Sequence, residues 1–240
     1  MASIRSCLSA GPLARLLRAF RRGLWIPLCL AALAARAAES DPMFERWFAA
    51  QTNILSWTAD FTQTRALKVL TQPLVASGKV WVKVPGLFRW ELGDPPQTIA
   101  LRQPDALFLI YPRLKRAERY SLTDVPPGPL RDALALLDAS FPRDRATMES
   151  RFRLLSAAET NSLLQVTLEP KSSAARKFIN QIVIAFRTND FAMAVTAMKF
   201  SDGSSLRNDF TNTVINPTIP PETFTPKLAA DITVVEPLRQ

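Results

Sequence analysis

The chain has 240 residues, 30 of them basic, 21 acidic and none histidine, for a net charge of +9. The excess is local: Arg5, Arg15, Arg18, Arg21, Arg22 and Arg36 precede Ala38 with no acidic residue among them, leaving 24 basic against 21 acidic residues beyond, a net of only +3. That distribution argues against a nucleic-acid partner, and the absence of imidazole excludes Ser-His-Asp and Cys-His catalysis.

Taken in chain order, the first element has the parts of a secretory signal peptide. Arg15, Arg18, Arg21 and Arg22 form a positive n-region, and Leu24–Leu33 forms a short apolar core. A bilayer span needs about 20 apolar residues, so this core is too short to be one. Ala35-Arg36-Ala37 offers small residues at the positions a signal peptidase reads, which places cleavage after Ala37. Cys29 follows Ile26-Pro27-Leu28, which lacks the small residues of lipoprotein processing, and Arg21-Arg22 is only a loose match to a twin-arginine signal. Both cysteines, Cys7 and Cys29, leave with this segment. The expectation is a signal peptide over 1–37, export to the periplasm, and one domain over 38–240 that is stable by burial without disulfides.

From Pro42 the pattern is helical, with Phe44, Trp47, Phe48, Ile54 and Leu55 on one apolar stripe and Asp41 as the cap. Period-two runs then predict strands at Thr58–Thr64, Ser77–Val84, Phe88–Leu92, Thr98–Arg102, Ala106–Tyr111 and Leu114–Ser121. Pro126-Pro127-Gly128-Pro129 ends this group, and Leu130, Ala133, Leu134 and Leu137 predict a second short amphipathic helix. Phe141–Ser150 reads as helix or loop. Strands resume at Phe152–Ser156, Ser162–Glu169, Phe178–Arg187, Phe191–Phe200 and Leu206–Val214, with hairpin turns at Thr188-Asn189-Asp190 and Ser201-Asp202-Gly203. A proline-rich tail leads to a last strand at Ile232–Val235.

Several of these strands alternate cleanly between apolar and polar, as antiparallel strands with one wet face do. About eleven of them with short links predict a mainly β fold, a strongly curved sheet or incomplete β-barrel. Two short helices cannot fill so wide a sheet, but they can cover its concave side as a lid. An apolar hollow with a removable cover suits an apolar ligand.

Chemistry-bearing clusters are few. Without histidine, and with both cysteines removed, zinc loses its usual ligands, and no glycine-rich phosphate loop is present. No metal or other cofactor is expected. Glu91 and Asp94 could pair for carboxylate-dependent hydrolysis, although one facing solvent and one capping a turn is the plainer reading. Arg113, Lys115, Arg116 and Arg119 form a basic run, either a charged edge that resists aggregation or a docking patch for an acidic partner. Arg89, inside an aromatic hairpin, is either a snorkelling outer residue or a polar latch for the cover.

The hairpin GKVWVKVPGLFRWEL, from Gly78 to Leu92, carries the most information. Val80–Val84 and Phe88–Leu92 flank a Pro-Gly turn, with Lys79, Trp81 and Lys83 on one face and Val80, Val82 and Val84 on the other. Lys83, Pro85, Gly86, Phe88, Arg89 and Trp90 form a K-x-P-G-x-F-R-W block that resembles the periplasmic outer-membrane lipoprotein carrier (LolA-like) family. Phe61-x-Gln63, Leu107–Pro112 ending in Tyr-Pro, Leu168-Glu169-Pro170-Lys171, Asp202-Gly203, Phe210-x-Asn212 and Phe224 extend the resemblance along the chain. It implies an unclosed barrel of about eleven strands with a helical lid, no enzymatic activity and a monomer. It also implies acylated lipoproteins as cargo, an inner-membrane ABC exporter as donor, and an outer-membrane receptor or membrane as acceptor. Many members have arginine before the proline of the block, where this chain has Val84, so Arg89 is the candidate lid latch. The expected cavity lining is Trp81 or Val82, with Phe88, Trp90, Leu109, Ile182, Ile184 and Met198. A carrier for another amphiphile, such as a glycolipid, is the first rival; a carboxylate-dependent hydrolase is the second.

Overall fold

The computed structural model describes residues 42–123 and 144–237. The expected signal peptide and the helix around Leu130–Leu137 lie outside the described residues. A helix α1 (Pro42–Gln51) leads into six strands: β1 (Ser56–Ala66), β2 (Leu74–Lys83), β3 (Leu87–Leu92), β4 (Thr98–Arg102), β5 (Ala106–Tyr111) and β6 (Arg116–Ser121). After helix α2 (Arg145–Arg151) come β7 (Phe152–Thr160), β8 (Leu163–Pro170) and a short helix α3 (Ser173–Arg176). The chain then runs through β9 (Ile179–Arg187), β10 (Met193–Phe200), β11 (Ser205–Ile215) and β12 (Thr233–Val235).

All twelve strands belong to one sheet, ordered β12-β6-β5-β4-β3-β2-β1-β11-β10-β9-β8-β7. Every pairing is antiparallel except β12 on β6. β7 and β12 are the two edges and do not meet, so the barrel is unclosed, as expected from the alternation of the strands. Twelve strands stand among the described residues, in keeping with the eleven or so expected.

Local departures from the expected elements have physical causes. β6 starts at Arg116 rather than Leu114 because Pro112–Leu114 forms a 3-10 turn and Lys115 takes a left-handed backbone (φ 50°). β9 starts at Ile179, and a register irregularity between Lys199 and Phe200 opposite its beginning shifts the pleat. Ile179 is therefore buried while Phe178 is exposed, so Phe178 does not share the inner face with Ile182, Ile184 and Phe186. Phe191 also takes a left-handed backbone (φ 57°), which delays β10 until Met193. Both hairpin turns stand where the Asp-containing links put them, with Asp190 and Asp202 accepting from the backbone N–H of Ala192 and Ser204.

Two apolar cores result. The larger lies on the concave face and takes in α1 through Phe44, Trp47 and Phe48, together with Phe61, Val80, Met148, Ile182, Ile184 and Phe186. Trp47 lies over Phe186 with ring centroids 4.2 Å apart, so α1 is a wall of this core. The smaller core lies on the outer face of β2–β6. There Trp81, Ile99, Leu101, Phe108 and Ile110 meet Ile219, Phe224, Leu228 and Ile232 of the proline-rich tail, which crosses as a strap.

Candidate functional site

Pleating of the central strands sends alternate residues into the hollow. Val80 stands opposite Trp90, Trp90 opposite Ala100, and Ala100 opposite Leu109; one row along, Val82, Phe88, Arg102 and Leu107 are aligned likewise. These two inner rows wall a cavity of about 660 Å³, which Met198, Leu206 and Phe210 bound from the other half of the sheet. Thr147, Met148 and Arg151 of α2 close it from above the sheet, beside Gln51 and Ile54 at the end of α1. Its size lies in the range of about 300–1,000 Å³ typical of sites that enclose small ligands.

An aromatic group forms the floor. Phe61 and Trp90 are 4.0 Å apart between ring centroids at a tilt of 33°, and Trp90 meets Phe210 edge-on at 6.1 Å. Trp57 reaches Phe210 edge-on at 5.7 Å. Edge-on and tilted aromatic pairs add attraction beyond the area they bury, which holds the floor rigid. Gln63, Thr196 and Asn208 are polar members of the lining, joined to one another across β1, β11 and β10.

The cover is lightly held. Among the residues of α2 only Met148 is buried, whereas α1 buries three aromatic side chains. Arg145 ties the two helices by donating to Glu45 and also pairs with Glu149 at 2.6 Å. Asp144 caps α2 by accepting from the Thr147 N–H at 2.7 Å, and that bond holds the carboxyl below the usual aspartate value. Asp144 is the one carboxylate among the described lining residues.

Of the expected lining residues, Val82, Phe88, Trp90, Leu109 and Met198 come together around the cavity. Trp81 does not: it faces outward and packs in the second core. Ile182 and Ile184 lie on the inner side but are fully enclosed in the main core. Arg89 also faces outward, donating from Nε to Glu91 Oε1 at 2.6 Å and from a guanidinium nitrogen to the Thr223 carbonyl of the strap at 3.2 Å. It anchors the strap, and the ion pair removes Glu91 from any carboxylate pair with Asp94. Arg102, directly opposite Phe88, is on the inner face of this region and lines the cavity. Sequence reading missed Arg102, although its position at the end of an alternating strand was the available signal.

The basic run is largely committed within the chain. Lys115 pairs with Asp231 at 3.0 Å, Arg116 with Glu118 at 2.8 Å, and Arg119 with Glu236 at 3.0 Å. Two of these acidic partners belong to the segment around β12, so the run fastens that edge strand. Arg113 sits on the adjoining 3-10 turn.

The model of the family described as outer membrane lipoprotein carrier protein LolA matches residues 52–227, well over half of the chain. No curated protein matches the sequence. Among solved structures, the chain is similar to an uncharacterized conserved protein from Thermus thermophilus, at 9% identity and a TM-score of 0.48, covering 81% of this chain and 96% of that one. It is also similar to a DUF1329 family protein from Desulfovibrio piger, at 11% identity and a TM-score of 0.42, covering 77% and 98%. A LolA superfamily protein from Nitrosomonas europaea has 10% identity and a TM-score of 0.38, covering 76% and 97%. Likenesses at this level carry no weight beside the family match.

Proposed function

We propose, from the premise that this chain belongs to the LolA family of outer membrane lipoprotein carrier proteins, that it holds an acyl chain of its cargo in the concave cavity while crossing water. The observation that carries this reading is an apolar hollow of about 660 Å³ left open between the sheet and α2. At about 0.8 kcal/mol per buried methylene, an acyl chain of ordinary length represents roughly 10 kcal/mol of transfer free energy. Exposing such a chain is prohibitive, and shielding it is work the hollow can do.

The full role is transport. The leader through Ala37 directs export to the periplasm, where the mature monomer accepts an acylated lipoprotein from an inner-membrane ABC exporter. It passes the cargo to an outer-membrane receptor or to the membrane itself, without a cofactor and as a binding protein rather than an enzyme. Handover must then run downhill in affinity, so a loose aromatic and aliphatic lining is an advantage. The lightly held α2 is the part that opens.

Phe88→Glu and Trp90→Glu should weaken a fluorescent acyl probe at least tenfold while lowering the denaturation midpoint modestly. Equal loss of binding and folding would make both side chains ordinary core.

Cavity size favours keeping a second reading. A hollow of about 660 Å³ lies within the range of about 300–1,000 Å³ of sites that enclose one small ligand. A carrier of another amphiphile, such as a glycolipid, fits that volume as closed. Mass spectrometry of lipid co-purifying with the exported protein separates the two: peptide-linked acyl groups support lipoprotein cargo, and peptide-free lipid supports the second reading.

A further inference from the structure

Across the floor of the cavity one row carries three adjoining polar side chains. Gln63 on β1 stands opposite Asn208 on β11, which stands opposite Thr196 on β10. On one side of this row lie Phe61 and Phe210, and on the other Leu206 and Met198, with the exposed Arg65 at the β1 end of that second row. Gln63 Nε2 donates to Asn208 Oδ1 at 3.0 Å, and Asn208 Nδ2 donates to Thr196 Oγ1 at 3.0 Å. Thr196 and Asn208 are 8% and 5% exposed, and all three side chains line the cavity.

The ladder does not use up its own hydrogen bonds. An amide nitrogen carries two hydrogens and a hydroxyl carries one. Asn208 spends one amide hydrogen on Thr196, whose hydroxyl accepts it and keeps its own proton. Among the described residues no acceptor takes that proton or the second Asn208 hydrogen. Buried donors without partners are costly, and an apolar trio would have built the same sheet. Two donors side by side on the floor of an oily hollow match one acceptor that arrives attached to an alkyl chain. The carbonyl oxygen of an acyl ester has that chemistry; an ether-linked or plain alkyl chain lacks it.

We propose that Thr196 and Asn208, aligned by Gln63, form a carbonyl-recognition step that selects ester-linked acyl ligands and sets how deep the chain sits. This rests on the cavity reading above and specifies its ligand: the ester carbonyl lies on the ladder, with the alkyl chain running toward Trp90 and Leu109. Seating the carbonyl fixes the chain's register, which a purely greasy lining cannot do.

The test compares a monoacyl glycerophosphocholine with its ether-linked counterpart of equal chain length, each displacing a fluorescent alkyl probe from the full mature protein. The wild type should bind the ester about tenfold more tightly, the effect of one or two net hydrogen bonds. Thr196→Val, close in shape, and Asn208→Leu should each bring the ratio of ester to ether affinity near one. Because Thr196→Val preserves packing, the result does not depend on Asn208→Leu folding well. Equal binding of both lipids by the wild type overturns the ladder's role and leaves the cavity reading standing. A preference that persists in both variants also overturns it. Displacement by neither lipid overturns the cavity reading itself, and the ladder's role with it.

Discussion

Gly78 is where one absent atom decides how the floor packs. A Cβ there would lie 2.2 Å from the Phe61 ring and 2.3 Å from the Glu91 carbonyl oxygen. The Phe61 ring can lie across the strand and reach Trp90 only because nothing stands at that position. Gly78→Ala should therefore cost about 1–3 kcal/mol, the usual range for overpacking, read as a lowered midpoint in chemical denaturation; an unchanged midpoint would mean ring and backbone yield freely. The two arginines of this region divide in role by the pleat. Arg102→Leu should change the exchange rate of an acyl probe, since its side chain borders the cavity. Arg89→Leu should leave exchange alone and loosen the strap, and stopped-flow exchange on both variants checks the contrast. The alternation in GKVWVKVPGLFRWEL already separated Val82, Phe88 and Trp90 from Trp81 and Arg89. Alternation does not say which face is concave, because that depends on which face the distant strap covers, so the choice between Trp81 and Val82 and the two readings of Arg89 stayed open.

At the scale of elements, the two described helices differ in what anchors them. α1 is set by three buried aromatics, and its stripe was legible because Phe44, Trp47 and Phe48 recur at helical spacing. α2 offered a weaker signal: a seven-residue helix with one buried side chain leaves no clear period, so Phe141–Ser150 read equally as loop. Its cap makes its hold on the cavity acid-sensitive. The Asp144 carboxyl lies below the usual aspartate value because Thr147 donates to it. Its contribution is present above the unfolded value near 3.9 and is lost as pH falls through the lower folded value. Release of an acyl probe should thus be steady at neutral pH and quicken below about pH 4, and Asp144→Ala should release quickly at neutral pH with a flatter profile. A profile unchanged by the substitution would detach the cap from gating. The Arg145–Glu45 pair is half exposed, and pairs of that kind contribute only about 0.2–1 kcal/mol. Glu45→Ala should speed release severalfold without lowering the denaturation midpoint appreciably.

For the whole molecule, the sheet carries a core on each side, and among the described residues the concave side leaves a hollow. Ala106–Tyr111 is an unbroken apolar run, the mark of a strand buried on both faces. Such a run needs a cover on its outer face, and the tail supplies it through Ile219 and Phe224. Phe224→Ala should cost about 3–5 kcal/mol as a large-to-small core change while leaving acyl-probe affinity nearly intact, because Phe224 does not line the hollow. Calorimetry alongside a binding titration would separate the two effects. The central claim is that the concave side admits an alkyl chain. Titration of the mature protein with a homologous series of fatty-acyl probes tests it most directly. Burial at about 0.8 kcal/mol per methylene makes affinity climb about fourfold per added carbon and level off once the chain fills the hollow, whereas affinity flat across the series would contradict the account.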